Sequence, residues 1–271
     1  MADVVKTQTT PAPSTSWIQQ TRPVTVRKIG IADLREVLAL GWNDFLTIPT
    51  QLAFLCILYP IVGLVAARAA VGQDLVPLLY PLVAGIALLG PVLAVGIYEL
   101  SRRREARLAV SWLNAFDILR SPAIFSIAVV GLMLLALFTV WMSVAETIYE
   151  RTVGPMHPGS VGQFAQAVLH SPDGWQLIVW GNLAGLAFAV IVLALTVVSI
   201  PMMLDRTETS PAISVATSIR AVLVNPAVLG LWGLIVAAVL VLGCLPLFIG
   251  LAVAMPVLGH ATWHLYRRVV A

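Results

Sequence analysis

The chain has 271 residues, 59% of them hydrophobic and 11% charged, with a mean hydropathy of +0.94, whereas soluble domains lie near ~45–50% apolar and ~25% charged. A spanning helix needs about 20 apolar residues, so the composition accommodates several passes through a bilayer and excludes a large water-soluble catalytic domain. The formal net charge is +3, and its significance lies in where the cations fall.

Met1 to Val26 is rich in Thr, Pro, Ser, Ala and Gln and contains no apolar run, which predicts a solvated, disordered tail over 1–26. Lacking an apolar core and a small-residue cleavage site, it does not read as a signal peptide. The remainder, 27–271, reads as one transmembrane domain. Apolar stretches of spanning length lie at about 50–69, 75–98, 122–144, 177–201 and 227–266. A single helix over the last would be about 60 Å long against a hydrocarbon core of about 30 Å. Gly243-Cys244-Leu245-Pro246 supplies a stop and restart near its middle, dividing it into 227–243 and 246–266. Six spans result.

With six passes, all but two of the 16 basic residues, Arg68 and Arg151, fall on one side of the membrane. Both termini are therefore expected in the cytoplasm. Five passes would put Arg267 and Arg268 on the wrong side, so the charge bias independently supports the division at Gly243 to Pro246.

Pro81 to Arg103 aligns without a gap over Pro246 to Arg268. The shared residues include Pro81/Pro246, Gly85/Gly250, Pro91/Pro256, Arg102/Arg267 and Arg103/Arg268. The fourth span ends similarly, at Ile200-Pro201 through Asp205-Arg206. These matches predict three related hairpins. Each opens with an amphipathic segment that hands over to a span at Pro49, Ser121-Pro122 or Asn225-Pro226, where Pro suits the first turn and Ser or Asn the cap. The apolar stripes are Ile31, Leu34, Leu38, Trp42 and Phe45; then Leu108, Trp112, Phe116 and Leu119; then Ile213, Ala216, Ile219 and Leu223. Such stripes lie in the headgroup plane or pack against the ends of neighbouring helices.

An ionisable residue inside a span is a functional hypothesis by default, and no span carries one at its middle. Glu99 and Asp44 sit near the cytoplasmic boundary beside arginines that can pair with them. Asn182, within Gly181-Asn182-Leu183-Ala184-Gly185, marks a helix that the two glycines let approach its neighbours closely. His260 and His264 are four apart and share a helix face, as two metal or haem ligands on one helix must. No Glu follows His260 as in the zinc-protease pattern, and the run from Gly259 to Arg268 reads as a membrane–water boundary with Trp263 and Tyr266 at headgroup level. His157 and His170 read as solvated loop residues. Cys56 and Cys244 read as small hydrophobes rather than a disulfide or redox pair. Phosphate loops, serine elbows and zinc-protease signatures are missing. The run Ser101-Arg102-Arg103-Arg104-Glu105-Ala106-Arg107 reads as a topology signal facing anionic lipid, with no nucleic-acid partner implied. We therefore predict no catalytic, cofactor or metal site, His260 and His264 being the pair that would hold a metal if any does.

With these segments placed, the chain resembles a bacterial family of predicted integral membrane proteins, domain of unknown function 2189. Three stretches carry the resemblance: Gly41-Trp42-Asn43-Asp44-Phe45, Leu89-Gly90-Pro91 through Tyr98-Glu99-Leu100-Ser101-Arg102-Arg103, and Pro256 through Arg267. It extends from about Val26 to Arg268 and implies a membrane protein of unknown activity with no catalytic residue to carry over. Some relatives bear the label of cytochrome c oxidase subunit I. Such a subunit resembles a twelve-helix bundle with six His ligands, whereas this chain has four His in all, so the label is rejected and an accessory role beside a respiratory complex stays open.

The expectation is an all-α, polytopic, six-helix protein of the bacterial inner membrane. It is non-enzymatic and acts through contacts with the lipid bilayer or with another membrane protein or complex. The alternative is a small-solute permease or channel, favoured by prolines within spans such as Pro60, Pro91, Pro201 and Pro256 and opposed by the lack of a mid-membrane ionisable group.

Overall fold

The computed structural model describes residues 24–48, 79–156, 161–246 and 248–271. The expected first span at 50–69, most of the tail, Pro49, Cys56 and His157 lie outside them.

Helix α1, Ile31–Thr47, starts where the Asp33 carboxylate turns back to accept the Gly30 N–H at 2.7 Å, closing the first turn and placing an acid at the positive end of the helix. Leu34, Val37, Gly41, Asp44 and Phe45 are buried, whereas Ile31, Trp42 and Leu46 remain exposed. The expected second span is broken into α2, Leu79–Leu88, α3, Gly90–Leu93, and α4, Val95–Glu105. Pro91 sits in the first turn of α3, where its missing N–H costs nothing.

After α4 a 3-10 helix covers Trp112–Arg120, capped by reciprocal bonds between Ser111 and Asn114. The sequence reading set its apolar stripe at α-helical spacing, but in a 3-10 helix residues three apart eclipse. The outward row is accordingly Leu113, Phe116 and Leu119. Leu108 and Trp112 of the expected stripe are exposed beside this row, Trp112 meeting Phe116 edge-on, while Ile118 is buried.

Among the described residues three helices are long and apolar enough to cross a membrane: α5 (Ile124–Arg151), the α7–α8 unit (Pro172–Asp205) and α10 (Pro226–Cys244). Only 22%, 33% and 17% of their most apolar windows are buried. Phe125, Leu132, Trp180, Leu186, Leu234 and Leu242 all point outward, the reverse of a protein that hides its apolar surface from water. Between α5 and α7 lies the short α6, Val161–His170, which ends in an exposed His170.

The α7–α8 unit is itself interrupted. α7, Pro172–Thr196, gives way at Val197 and Val198 to α8, Ser199–Asp205. Pro201 cannot donate to the carbonyl four residues back, and the Val198 N–H released at the break donates to Ser218 Oγ at 3.2 Å. That serine belongs to α9, Pro211–Val224, whose buried residues are Ser214, Thr217, Ser218 and Ala221. The predicted stripe of α9, including Ile213, Ile219 and Leu223, is exposed.

The turn at Gly243 to Pro246 follows the sequence reading. α10 ends at Cys244 and α11 begins at Leu251, five residues later than the expected 246, and runs to Val269. The glycines make the reversal possible, since a Cβ on Gly250 would lie 2.8 Å from Gly243 Cα. α11 carries Pro256, two His and two Arg, and is the helix against which α1 packs most extensively.

The segment leading into α1 meets the C-terminal residues. Val26 pairs with Val270 as an isolated antiparallel bridge, flanked by Arg27 N–H to Val269 O at 2.8 Å and Ala271 N–H to Thr25 O at 3.1 Å. Residues 24–26, assigned to the tail by composition, are thus held by main-chain bonds. Asn225 does not cap its own helix as expected. Its side chain instead accepts from Ile29 N–H at 2.9 Å and donates to Arg27 O at 3.0 Å. A Cβ at Gly185 would stand at ordinary contact distance, 3.4 Å, from the Trp141 ring, and one at Gly181 would meet nothing within 4 Å, so neither glycine is required for a close approach among the described residues.

α1 and α11 meet at a tight notch at Gly41, where a Cβ would lie 2.6 Å from Ala261 N and 2.8 Å from Val257 O. Backbone cannot yield there. Gly41→Ala is expected to push α1 off α11 and cost about 1–3 kcal/mol, read as a lowered thermal midpoint in detergent. Gly230→Ala, which meets nothing within 4 Å, should leave the midpoint unchanged.

Candidate functional site

The three stretches that carry the family resemblance converge on one buried carboxylate. α1 contributes Asp44, α4 contributes Ser101 and Arg104, and α11 contributes His260 and His264. Asp44 is 5% exposed, and an unpaired charge so placed is costly. It is met on both oxygens. Arg104 Nη1 donates to Oδ1 at 2.6 Å, while Ser101 Oγ and His264 Nε2 each donate to Oδ2 at 2.9 Å.

Hydrogen-bond arithmetic then sets the state of His260, which is fully buried. Ser101 has one hydroxyl proton, spent on Asp44. The 2.7 Å contact between Ser101 Oγ and His260 Nδ1 is therefore made by the ring N–H donating to the serine oxygen. The other ring nitrogen of His260, Nε2, is buried with no hydrogen-bond partner among the described residues. His260 Nδ1 stands 3.8 Å from Asp44 Oδ2, reaching the carboxylate through the serine. Burial by itself would push the Asp44 carboxyl up. The hydrogen bond and charge of His264, the Ser101 bond and the charge of His260 outweigh it, and the group ends below its ordinary value.

The candidate pair of the sequence reading is thus brought into one cluster. The ring atoms that meet neighbours, Nδ1 of His260 and Nε2 of His264, are engaged to a hydroxyl and a carboxylate rather than turned to a common centre. Among the described residues no group of three or more His, Cys, Asp or Glu is arranged to hold a metal ion. Sequence spacing could reveal the two histidines but not Asp44 and Ser101, which lie more than 150 positions away along the chain.

Around this knot every nearby carboxylate is turned onto an arginine. Glu99 is gripped by both Arg102 nitrogens at 2.7 and 2.8 Å, a forked bond that pushes the Arg102 guanidinium further above its ordinary value. Arg103 holds Asp117 at 2.9 Å, with Asn114 on the same oxygen at 2.8 Å. Arg267 bridges Glu105 and Asp205, Trp263 Nε1 donates to Glu105 at 3.0 Å and Tyr266 to Asp205 at 2.6 Å. Arg268 reaches Asp33 and Glu36. Arg102, Arg103, Arg267 and Arg268, the repeated basic pairs of the sequence, all act in this way.

Apart from this knot, polar side chains on α5 form a file at Thr139, Ser143 and Thr147, lining an outward groove of about 330 Å³. Each hydroxyl donates to the carbonyl four residues earlier. Asn182 is exposed and donates to Ile178 O.

Apolar helices facing outward above a knot of paired charges are the pattern of a membrane protein. Residues 79–205 match the family described as predicted integral membrane protein (DUF2189). The match is narrower than the extent read from the sequence, leaving Asp44, His260 and His264 outside it and Ser101 and Arg104 within. No curated protein and no solved structure matches the chain.

Asp44→Asn keeps the shape but removes the charge that Arg104 answers. Its expected cost is about 3–5 kcal/mol, the range for breaking a buried pair on one side. Because the folded carboxyl titrates below its unfolded value, ionised Asp44 stabilises the fold fully above about pH 4 and ceases to as pH falls through the folded value. A melting series from pH 7 to pH 3 should show this acid loss in the parent protein and its absence in Asp44→Asn.

Proposed function

We propose that this chain is a six-span, non-enzymatic protein of the bacterial inner membrane, built as three hairpins with both termini in the cytoplasm. It works through contacts of its lipid-level surface with the bilayer or with another membrane protein, as an accessory to a respiratory or envelope complex. The observation that carries this reading is the sorting of faces at the basic end. In α9 the polar side chains Ser214, Thr217 and Ser218 are turned inward while Ile213, Ile219 and Leu223 are left outside, and apolar residues of α1 and the 3-10 helix such as Leu46 and Phe116 are exposed as well. In water that arrangement exposes the wrong surface; at a membrane boundary it forms a collar that continues the apolar faces of the spans. The hydroxyls of the α5 file are spent on their own helix and offer a solute little, which supports contact over permeation.

Two measurements test the reading. On a background lacking Cys56 and Cys244, an impermeant maleimide added to intact cells should label Gly162→Cys, and Ala271→Cys only after permeabilisation; the opposite pattern overturns the orientation. A photoreactive residue replacing Leu223 should cross-link to lipid or to a membrane protein in native membranes, and absence of both adducts overturns the contact role.

A further inference from the structure

The basic run after α4 is divided by the structure into two groups. Arg102, Arg103 and Arg104 are turned inward onto Glu99, Asp117 and Asp44. The Arg107 side chain is exposed and has no hydrogen-bond or ion-pair partner among the described residues, and the same holds for the side chain of Arg120 at the far end of the 3-10 helix. The nearby acids cannot answer them, because Glu105 is committed to Arg267 and Trp263, and Asp117 to Arg103 and Asn114.

Arg107 also occupies a strained position. α4 ends with the Arg107 N–H on Arg104 O and the Leu108 N–H on Arg103 O, both at 2.9 Å, and Arg107 has φ 56°. This is the left-handed residue of a helix-terminating turn, which glycine fills without cost. An arginine kept there points to a use for its side chain. Between the two free guanidiniums runs the exposed row Leu113, Phe116 and Leu119, with Leu108 and Trp112 beside it.

From this arrangement we infer that the segment from Arg107 to Arg120 is a binding surface for anionic phospholipid headgroups. The Leu113–Phe116–Leu119 row sits at the acyl boundary, and Arg107 and Arg120 take the phosphates at either end. The inference rests on the membrane-contact reading above and adds the lipid class and the residues that select it. A zwitterionic headgroup presents its own ammonium to the guanidiniums, whereas a phosphatidylglycerol headgroup presents net negative charge alone. One cation near an anionic surface is worth about fivefold in local preference.

The test places a photoreactive residue at Phe116 of the full chain in vesicles of equal phosphatidylglycerol and phosphatidylethanolamine. The expected result is at least a fivefold excess of phosphatidylglycerol adduct. Arg107→Gly with Arg120→Gln should bring the ratio near one to one. Arg107→Gly relieves the left-handed strain, so the pair should melt no lower than the parent, separating lost selectivity from lost fold. Arg151→Gln, an exposed arginine at the end of α5, should leave the ratio unchanged. Adducts of both lipids in equal amounts from the parent, or an excess that survives the double substitution, overturn the inference while leaving the contact reading in place. Adducts to no lipid at all overturn both.

Discussion

Ionised Asp44 has to be satisfied where almost no water reaches it, and meeting that demand organises this end of the molecule. A buried carboxylate is tolerated when donors from the protein replace its hydration. Here the donors come from two other helices: Ser101 and Arg104 on α4, and His264 on α11. The bond therefore fixes three segments that are remote in the chain. It also fixes His260, since the serine that serves Asp44 receives the His260 N–H. The Gly41 notch lets α1 come close enough to α11 for this to happen.

The same rule repeats outward from Asp44. Glu99, Glu105, Asp117 and Asp205 each find an arginine, and Asn225 supplies both its donor and acceptor to the segment entering α1. Individually, exposed ion pairs are worth about 0–1 kcal/mol. Their larger effect is geometric. In α9 the polar face is drawn inward and the apolar face points out, and Leu46 of α1 and Phe116 of the 3-10 helix are exposed too. This makes the basic end a boundary layer rather than a loop cluster, and it leaves particular cations, Arg107 and Arg120 among them, without internal duties.

Much of the helical layout was legible in the sequence, because an apolar run of 20 residues has few structural outcomes. α5, α7, α10 and the reversal at Gly243 to Pro246 fall near their expected places, as do the pairing of Asp44 and Glu99 with arginines and the exposed His170. The readings that shifted share a cause. The 108–119 stripe is exposed as read, but it was set at 3.6 residues per turn where the helix has three, which left out Leu113. Asn225 was read as a local cap and serves a strand-like segment nearly 200 positions away. Val24 to Val26 looked solvated because composition does not show that Val270 will pair with Val26.

By itself, then, the sequence determined that this is a helical membrane protein with its cations gathered at one end, since bulk hydropathy and the placement of Lys and Arg depend on composition and order alone. Tertiary structure decided which polar groups meet. His260 and His264 were visible as a pair on one helix, but their partners could not be, because hydrogen bonds between side chains depend on how helices pack and in what register. Packing also decided which of the clustered arginines are consumed and which stay free, and so which part of a uniform basic run is left to face the membrane surface.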